Sequence, residues 1–204
     1  MWVFSSIKIW IPLAFLLLIN IVYKKTWKQY LPVLTALILL FVICDQLSSH
    51  LIKPLIARPR PTHYPGIMEH VRTLFDYTGG KYGFISGHAT NSFGFAMFSS
   101  LLFRNKLYTA IVFLWAAVVA YSRIFIGVHF VSDILGGIIA GVSTGYLLYN
   151  VYSYTIKKTG RNGSFTLASF PGDQMKLLSV IILVYLIFIS LFSTYIVAYQ
   201  KSVL

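Results

Sequence analysis

The chain has 204 residues, of which 57% are hydrophobic and only 11% are charged. Because soluble domains carry about 25% charged residues, this composition excludes an ordinary water-soluble domain and indicates an integral membrane protein. The net charge of +12 would suit a nucleic-acid partner, but most basic residues lie between apolar stretches and form no basic face, so we expect no such partner.

Six apolar stretches follow along the chain, each close in length to the roughly 20 helical residues that cross a hydrocarbon core. The first is followed by Lys24 and Lys25 and by no small-residue cleavage site, so we interpret it as an anchor and not as a signal peptide. We predict one all-α domain over residues 1–204, a polytopic membrane bundle of about six transmembrane helices. The stretches lie at 2–23, 31–52, 86–103, 107–124, 132–152 and 177–200.

The basic residues outside the polar motifs fall in three connections between these stretches. Alternate connections share one side of a membrane, and the positive-inside rule makes the basic side cytoplasmic. The connections 53–85 and 124–131, together with the N-terminus, are then expected to face outward. The basic residues are Lys24, Lys25, Lys28, Arg104, Lys106, Lys157, Lys158 and Arg161.

Small and polar residues mark two of the stretches. Gly137, Gly141 and Gly145 lie four residues apart on one face of the fifth stretch, which predicts close helix packing. Asp45 begins a polar run in the second stretch, for which we favour a structural hydrogen-bonding role over contact with substrate. The lone Cys44 excludes a disulfide framework and is interpreted as a small core residue.

The remaining polar groups collect in three sequences that would meet on the outer side: KPLIARPRP at 53–61, GFISGHAT at 83–90 and SRIFIGVHFVSD at 122–133. They supply cations, hydroxyl and backbone donors, two imidazoles and a carboxylate. A phosphoryl group needs such a set, because cations and N–H groups bind its oxygens while a nucleophile attacks and an acid serves the leaving group. The candidates are Lys53, Arg58, Arg60, Ser86, Gly87, His88, Arg123, His129 and Asp133.

These sequences also resemble the tripartite signature of the type 2 phosphatidic acid phosphatase superfamily. The resemblance covers about residues 45–150. One departure is Ile85, which stands where the family usually has proline and removes no reacting group. The matching residues are Lys53, then after six residues Arg60-Pro61; Ser86-Gly87-His88; and Ser122-Arg123, then after five residues His129 and after three more Asp133.

The resemblance implies that His129 is the nucleophile, forming a phosphohistidine that water then hydrolyses. The residues agree, because an imidazole with a pKa near 6.5 is largely neutral at pH 7 and a carboxylate can fix the attacking tautomer. Asp133 lies about one helical turn further on and can reach that ring if a helix begins there. Asp133 is also a candidate helix cap, and the two roles are compatible.

By the same resemblance, His88 is the general acid that protonates the leaving group and later the base that activates water. Lys53, Arg60 and Arg123, with the turn at Ser86 and Gly87, would hold the phosphate. Arg58 lacks the family spacing, and we leave it as a gate or headgroup contact.

No metal or cofactor is expected. His50, His63 and His70 match no signature position, and no spacing of His, Asp or Glu resembles a zinc site. We therefore predict a metal-independent reaction. Aromatic residues of the outer loop are expected at headgroup level: Tyr64, Phe75, Tyr77 and Tyr82.

The leading hypothesis is a phosphatase acting on a lipid phosphate or diphosphate at the outer face of a bacterial inner membrane. A transporter or channel is the alternative, but it would need the cations without the paired His129 and Asp133. A vanadate haloperoxidase would share the anion pocket, but that branch looks soluble. The resemblance favours undecaprenyl diphosphate as substrate, with a lipid A phosphate next and phosphatidylglycerol phosphate also open.

Overall fold

The computed structural model describes residues 1–73, 77–160 and 165–202 and places a long helix on each of the six predicted stretches. A π-helical segment, Gln46–Ile52, forms the end of the second stretch, and a short helix follows it into the outer loop. The all-α class is confirmed, since no strand occurs in the described part of the chain. The helices are α1 Ile7–Val22, α2 Trp27–Asp45, α3 Lys53–Ile56, α4 Gly87–Phe103, α5 Lys106–Phe125, α6 Val131–Gly160 and α7 Gly172–Ser202.

Local sequence signals explain where several helices begin and end. Thr26 and Gln29 form a capping box at the start of α2, satisfying backbone groups that lack helical partners. Ser86 caps α4 by accepting from the Ala89 amide, and Asn105 caps α5 in the same way. Arg104 adopts a left-handed conformation between α4 and α5, which ends α4 and makes the turn tight.

The contact between α4 and α6 forms the centre of the bundle. An added Cβ at Gly137 would lie 2.8 Å from the Ser86 carbonyl oxygen, and one at Gly141 would lie 2.3 Å from that of Thr90. At Gly145 the distance to the Gly94 carbonyl oxygen would be 2.4 Å. The predicted close packing is confirmed, because only glycine lets these two backbones touch.

Four helices are long and apolar enough to cross a membrane, by length and composition: Trp27–Ile56, Lys106–Phe125, Val131–Gly160 and Gly172–Ala198. The apolar helix α1 is shorter, with 16 residues. Helix α4 has 17 residues and lies largely buried among the others. The architecture is therefore a polytopic membrane bundle in which α4, the helix carrying His88, is surrounded by its neighbours.

The basic connections and the candidate reactive residues lie at opposite ends of the bundle. At one end the basic connections meet: the Lys25 ammonium lies 5.3 Å from the Phe170 ring, and the Thr166 amide donates to the Lys28 carbonyl at 3.3 Å. Arg161, also counted among the basic residues, lies outside the described residues. The candidate reactive residues and the N-terminal turn lie at the opposite end, as the alternation of connections predicts.

The polar run after Cys44 divides between the interior and the outside. Cys44 itself is fully buried, as expected for a core residue. The Ser48 side chain is buried, whereas the Asp45 carboxylate is 52% exposed and accepts from the Ser49 hydroxyl at 3.1 Å. These contacts are consistent with the structural role favoured for Asp45.

Candidate active site

Backbone hydrogen bonds join the three polar sequences at the outer end of the bundle. The Ser86 amide donates to the Asp133 carbonyl at 3.0 Å, which ties the start of α4 to the start of α6. The Gly83 amide donates to the Arg58 carbonyl at 2.9 Å, which ties the same segment to the loop after α3. The site is thus assembled by main-chain contacts as well as by side chains.

The pair of His129 and Asp133 has the predicted geometry. The His129 ring nitrogen Nδ1 lies 3.2 Å from the Asp133 carboxylate, and both side chains are buried, 2% and 0% exposed. The same carboxylate oxygen accepts from the Phe130 amide at 2.8 Å, at the residue preceding α6. Asp133 therefore both caps the helix and orients the imidazole.

The other ring nitrogen of His129 faces the cations. Its Nε2 lies 3.3 Å from a guanidinium nitrogen of Arg60. If Arg60 donates there, Nε2 carries the lone pair and Nδ1 carries the proton that is given to Asp133. Arg60 is held in place by the carbonyl oxygens of Val128 and Tyr82, at 3.3 and 3.2 Å.

Burial sets the protonation state of this imidazole. Desolvation, followed by the charges of Arg60, Arg123 and Lys53, lowers the pKa of His129 to about 2. Burial also lowers the pKa of Arg60, but a guanidinium remains charged in proteins. The site therefore presents a neutral imidazole beside fixed positive charge.

The ammonium group of Lys53, the first residue of α3, lies near the N-terminus of α4. A Cβ added at Gly87 would be 3.8 Å from the Lys53 ammonium and 3.3 Å from the Ser48 hydroxyl. The free backbone N–H groups of a helix N-terminus bind anions well, and an ammonium at the same point adds a full charge. Ser86 is fully buried and its hydroxyl oxygen already accepts from the Ala89 amide at 3.4 Å, which leaves its O–H free to donate.

Ser5 is a contact residue that the sequence did not predict. Its hydroxyl accepts from the Arg123 guanidinium, and Ser5 and His88 line the same cavity. Trp2 packs edge-on against Tyr77 at 5.5 Å, and the Arg123 guanidinium lies 5.7 Å from the same Tyr77 ring. The N-terminal turn therefore covers the side of the site that holds Arg123 and His88.

Arg58 contacts the Asp133 carboxylate directly. Its guanidinium donates to the second oxygen of Asp133 and, at 3.0 Å, to the Ser132 hydroxyl. The rings of Phe84 and Phe130 lie 4.8 and 5.3 Å from it. The structure thus makes Arg58 a second partner of the carboxylate, with a side chain that is 30% exposed.

The other histidines and outer-loop aromatic residues named from the sequence have contacts of their own. Tyr64 packs against Phe130 at 5.9 Å, while Phe75 lies outside the described residues. His50 is 4.0 Å from Asp45 and His63 contacts Thr62. Within residues 1–73, 77–160 and 165–202, no three side chains of His, Cys, Asp or Glu are grouped to hold a metal ion. Metal independence remains a prediction.

Comparison with known proteins identifies relatives that match most of the chain. Residues 29–157 match the family model of the PAP2 superfamily. A lipid A 4'-phosphatase from Porphyromonas gingivalis is 48% identical over 145 residues, which cover 71% of this chain and 61% of that protein. A lipid A 4'-phosphatase from Bacteroides thetaiotaomicron is 33% identical over 180 residues, covering 88% of this chain and 79% of that protein. The match thus spans about three fifths of the Porphyromonas protein's length.

A solved structure has a similar fold. The crystal structure of a transmembrane PAP2-type phosphatidylglycerolphosphate phosphatase from Bacillus subtilis superposes with a TM-score of 0.52 and 24% sequence identity. The match covers 76% of this chain and 72% of the Bacillus chain. This likeness supports the helical fold alone.

Proposed function

Because this chain belongs to the PAP2 superfamily, we propose that it is a phosphatase that removes a phosphate group from a membrane lipid. The observation that carries this proposal is the buried, neutral His129, oriented by Asp133 on one side and facing Arg60 on the other. A transporter that only bound an anion would use the cations and would have no need of an oriented nucleophile.

In the first step, the lone pair on His129 Nε2 attacks the phosphorus atom of the bound lipid. A phosphorus–nitrogen bond forms as the bond to the lipid oxygen breaks, and His88, which enters this step as the protonated imidazolium, gives that oxygen a proton. Lys53, Arg60, Arg123 and the first amides of α4 stabilise the charge on the other phosphate oxygens. Asp133 stabilises the positive charge that His129 acquires.

In the second step, water releases the phosphate. His88, now unprotonated, accepts a proton from water while the water oxygen bonds to phosphorus. The phosphorus–nitrogen bond breaks, and its electron pair returns to His129. His129 is then neutral and His88 protonated, as at the start, so the proposed cycle balances without an external acid.

As substrate we propose the phosphate monoester of a lipid A type of glycolipid. Two relatives, at 48% and 33% identity, are lipid A 4'-phosphatases. We therefore propose a lipid A phosphate ahead of undecaprenyl diphosphate, the substrate that the family resemblance favoured. The cations bind phosphate in either lipid, so the choice rests on the relatives and not on the geometry of the site.

We further propose that the protein lies in a bacterial inner membrane with its reactive end toward the periplasm. The basic connections at Lys25, Lys28 and Arg104 lie at the end away from His129, which is the distribution that the positive-inside rule associates with a cytoplasmic end.

The test is a substrate panel with purified protein in detergent. Release of inorganic phosphate from lipid A, phosphatidylglycerol phosphate and undecaprenyl diphosphate is compared as kcat/KM, with His129→Ala as the inactive control. We expect lipid A to be preferred by tenfold or more. A tenfold preference for undecaprenyl diphosphate would overturn the substrate assignment, and release from no lipid, together with anion transport in vesicles, would overturn the phosphatase.

A further inference from the structure

An apolar cavity of about 480 Å³ adjoins the candidate active site. Helices α1, α2, α4, α5 and α7 form its walls, and it has His88 in common with the active site. Ser5, which contacts Arg123, lies at the same end. The cavity is therefore continuous with the place where the phosphate is proposed to bind.

The polarity of the wall changes with depth. The residues near the site include Ser5, His88 and Asn91, and the amide oxygen of Asn91 is buried without a hydrogen-bond partner in the described structure. Deeper in the membrane the wall is formed by apolar side chains, including Leu17 and Leu178. A lipid phosphate shows the same change along its length. Polar linkages come next to the phosphate group, and the hydrocarbon chains come after the polar linkages.

The length of the cavity is close to that of one acyl chain in a bilayer. Along α5 the lining extends from Val119 to Tyr108, a helical rise of about 16 Å. The hydrocarbon core of a bilayer is about 30 Å thick, so one layer of acyl chains occupies about half of that distance. The cavity stays apolar at Tyr108, because the Tyr108 hydroxyl donates a hydrogen bond to the Ser99 hydroxyl at 3.1 Å.

We propose that this cavity receives one acyl chain of the lipid whose phosphate lies against His129. The inference rests on the proposed lipid phosphatase function and adds the position of the chain. A single hydrocarbon chain is the occupant that fits the apolar lining, the length along α5 and the change in polarity of the wall.

The proposed role of the cavity is to position the lipid, and it adds little to the binding free energy. A chain that leaves the bilayer for the cavity exchanges one apolar environment for another, so little transfer free energy is gained. An acyl chain held beside His88 keeps the leaving-group oxygen of the lipid close to this proposed general acid. Such alignment of reacting groups has large effects on rate. Filling the cavity is therefore expected to slow the reaction of long-chain substrates selectively.

Ala14 offers a suitable position for the test. It lines the cavity from α1, and its small side chain is exposed, so a larger residue fills space without entering the packed core. Ala110 on α5 is a matched control, since it is also exposed and does not line the cavity. The substrates are two glucosamine 4-phosphates that differ only in carrying myristoyl or butyryl chains.

We expect Ala14→Trp to lower kcat/KM for the myristoyl substrate about tenfold or more and to leave the butyryl substrate within about twofold. Ala110→Trp should change neither value. Activity on the butyryl substrate shows that the variant is folded. Equal losses on both substrates, or no loss on the myristoyl substrate, would overturn the acyl-chain site while the phosphatase stands. If the wild-type protein hydrolyses neither substrate, the proposed function itself fails and the inference falls with it.

Discussion

Replacing Asp133 with asparagine removes one buried charge and almost no volume. The carboxylate accepts on both oxygens: one from Arg58, the other from the Phe130 amide and from His129 Nδ1. An asparagine side chain has only one acceptor oxygen, so one side must face an NH₂ group instead. If the NH₂ group faces Arg58, it lies against a cation and cannot accept a hydrogen bond. If the NH₂ group faces His129, it favours the His129 tautomer that carries the proton on Nε2.

The expected loss follows from that tautomer. A protonated Nε2 has no lone pair with which to attack phosphorus, and an aspartate-to-asparagine change at an oriented histidine costs about 10³- to 10⁴-fold in kcat. This corresponds to about 4–5.5 kcal/mol of barrier. A stability loss accompanies it, because Arg58 would keep its charge beside an uncharged partner.

The assay is phosphate release from lipid A in detergent at saturating substrate. The matched control is Asp173→Asn in α7, where the carboxylate is 97% exposed and no loss is expected. Gel filtration and circular dichroism show whether Asp133→Asn is folded. A folded Asp133→Asn variant with kcat within tenfold of wild type would refute the orienting role of the carboxylate.

Three further predictions concern packing, protonation and metal ions. Gly141→Ala should lower the thermal stability by about 1–3 kcal/mol, because the added Cβ would lie 2.3 Å from the Thr90 carbonyl oxygen. His129 should remain neutral from pH 8 to pH 5 in NMR spectra of ring-labelled protein, because burial lowers its pKa to about 2. Phosphate release should survive EDTA and be inhibited by vanadate, which resembles the transition state of phosphoryl transfer.

Each of these has a contrary outcome. Gly172→Ala is the control for packing, because nothing lies within 4 Å of a Cβ added there, and equal melting temperatures of the two variants would contradict the packing argument. Proton uptake by His129 near pH 6.5 would contradict a buried neutral imidazole. Activity lost in EDTA and restored by Mg²⁺ or Zn²⁺ would show that the reaction needs a metal.

Patterns that depend on short-range spacing could be predicted from the sequence. The apolar stretches gave the six long helices, and the spacing of Gly137, Gly141 and Gly145 gave the contact between α4 and α6. The pairing of His129 with Asp133 also follows from position, since residues four apart lie on one face once a helix begins between them. Hydropathy placed the end of α6 near residue 152, but the helix continues to Gly160 because polar residues can extend a helix beyond the hydrocarbon.

Contacts between distant segments could not be predicted. Ser5 and Arg123 are separated by 118 positions, and nothing near Ser5 in the sequence distinguishes it from any hydroxyl at a helix start. Arg58 lay beside the signature, but its contact with Asp133 depends on how the loop after α3 folds back over α6. The cavity beside His88 likewise depends on the placement of five helices and has no local sequence signal.

The most direct test of the account is to trap the covalent intermediate. Protein mixed with lipid A carrying a radioactive phosphate is denatured within one turnover and examined for bound label. We predict a label on the wild-type protein that is stable to alkali, labile to acid and absent from His129→Ala. Hydrolysis without any bound label, or an equal label on His129→Ala, would contradict a phosphohistidine at His129.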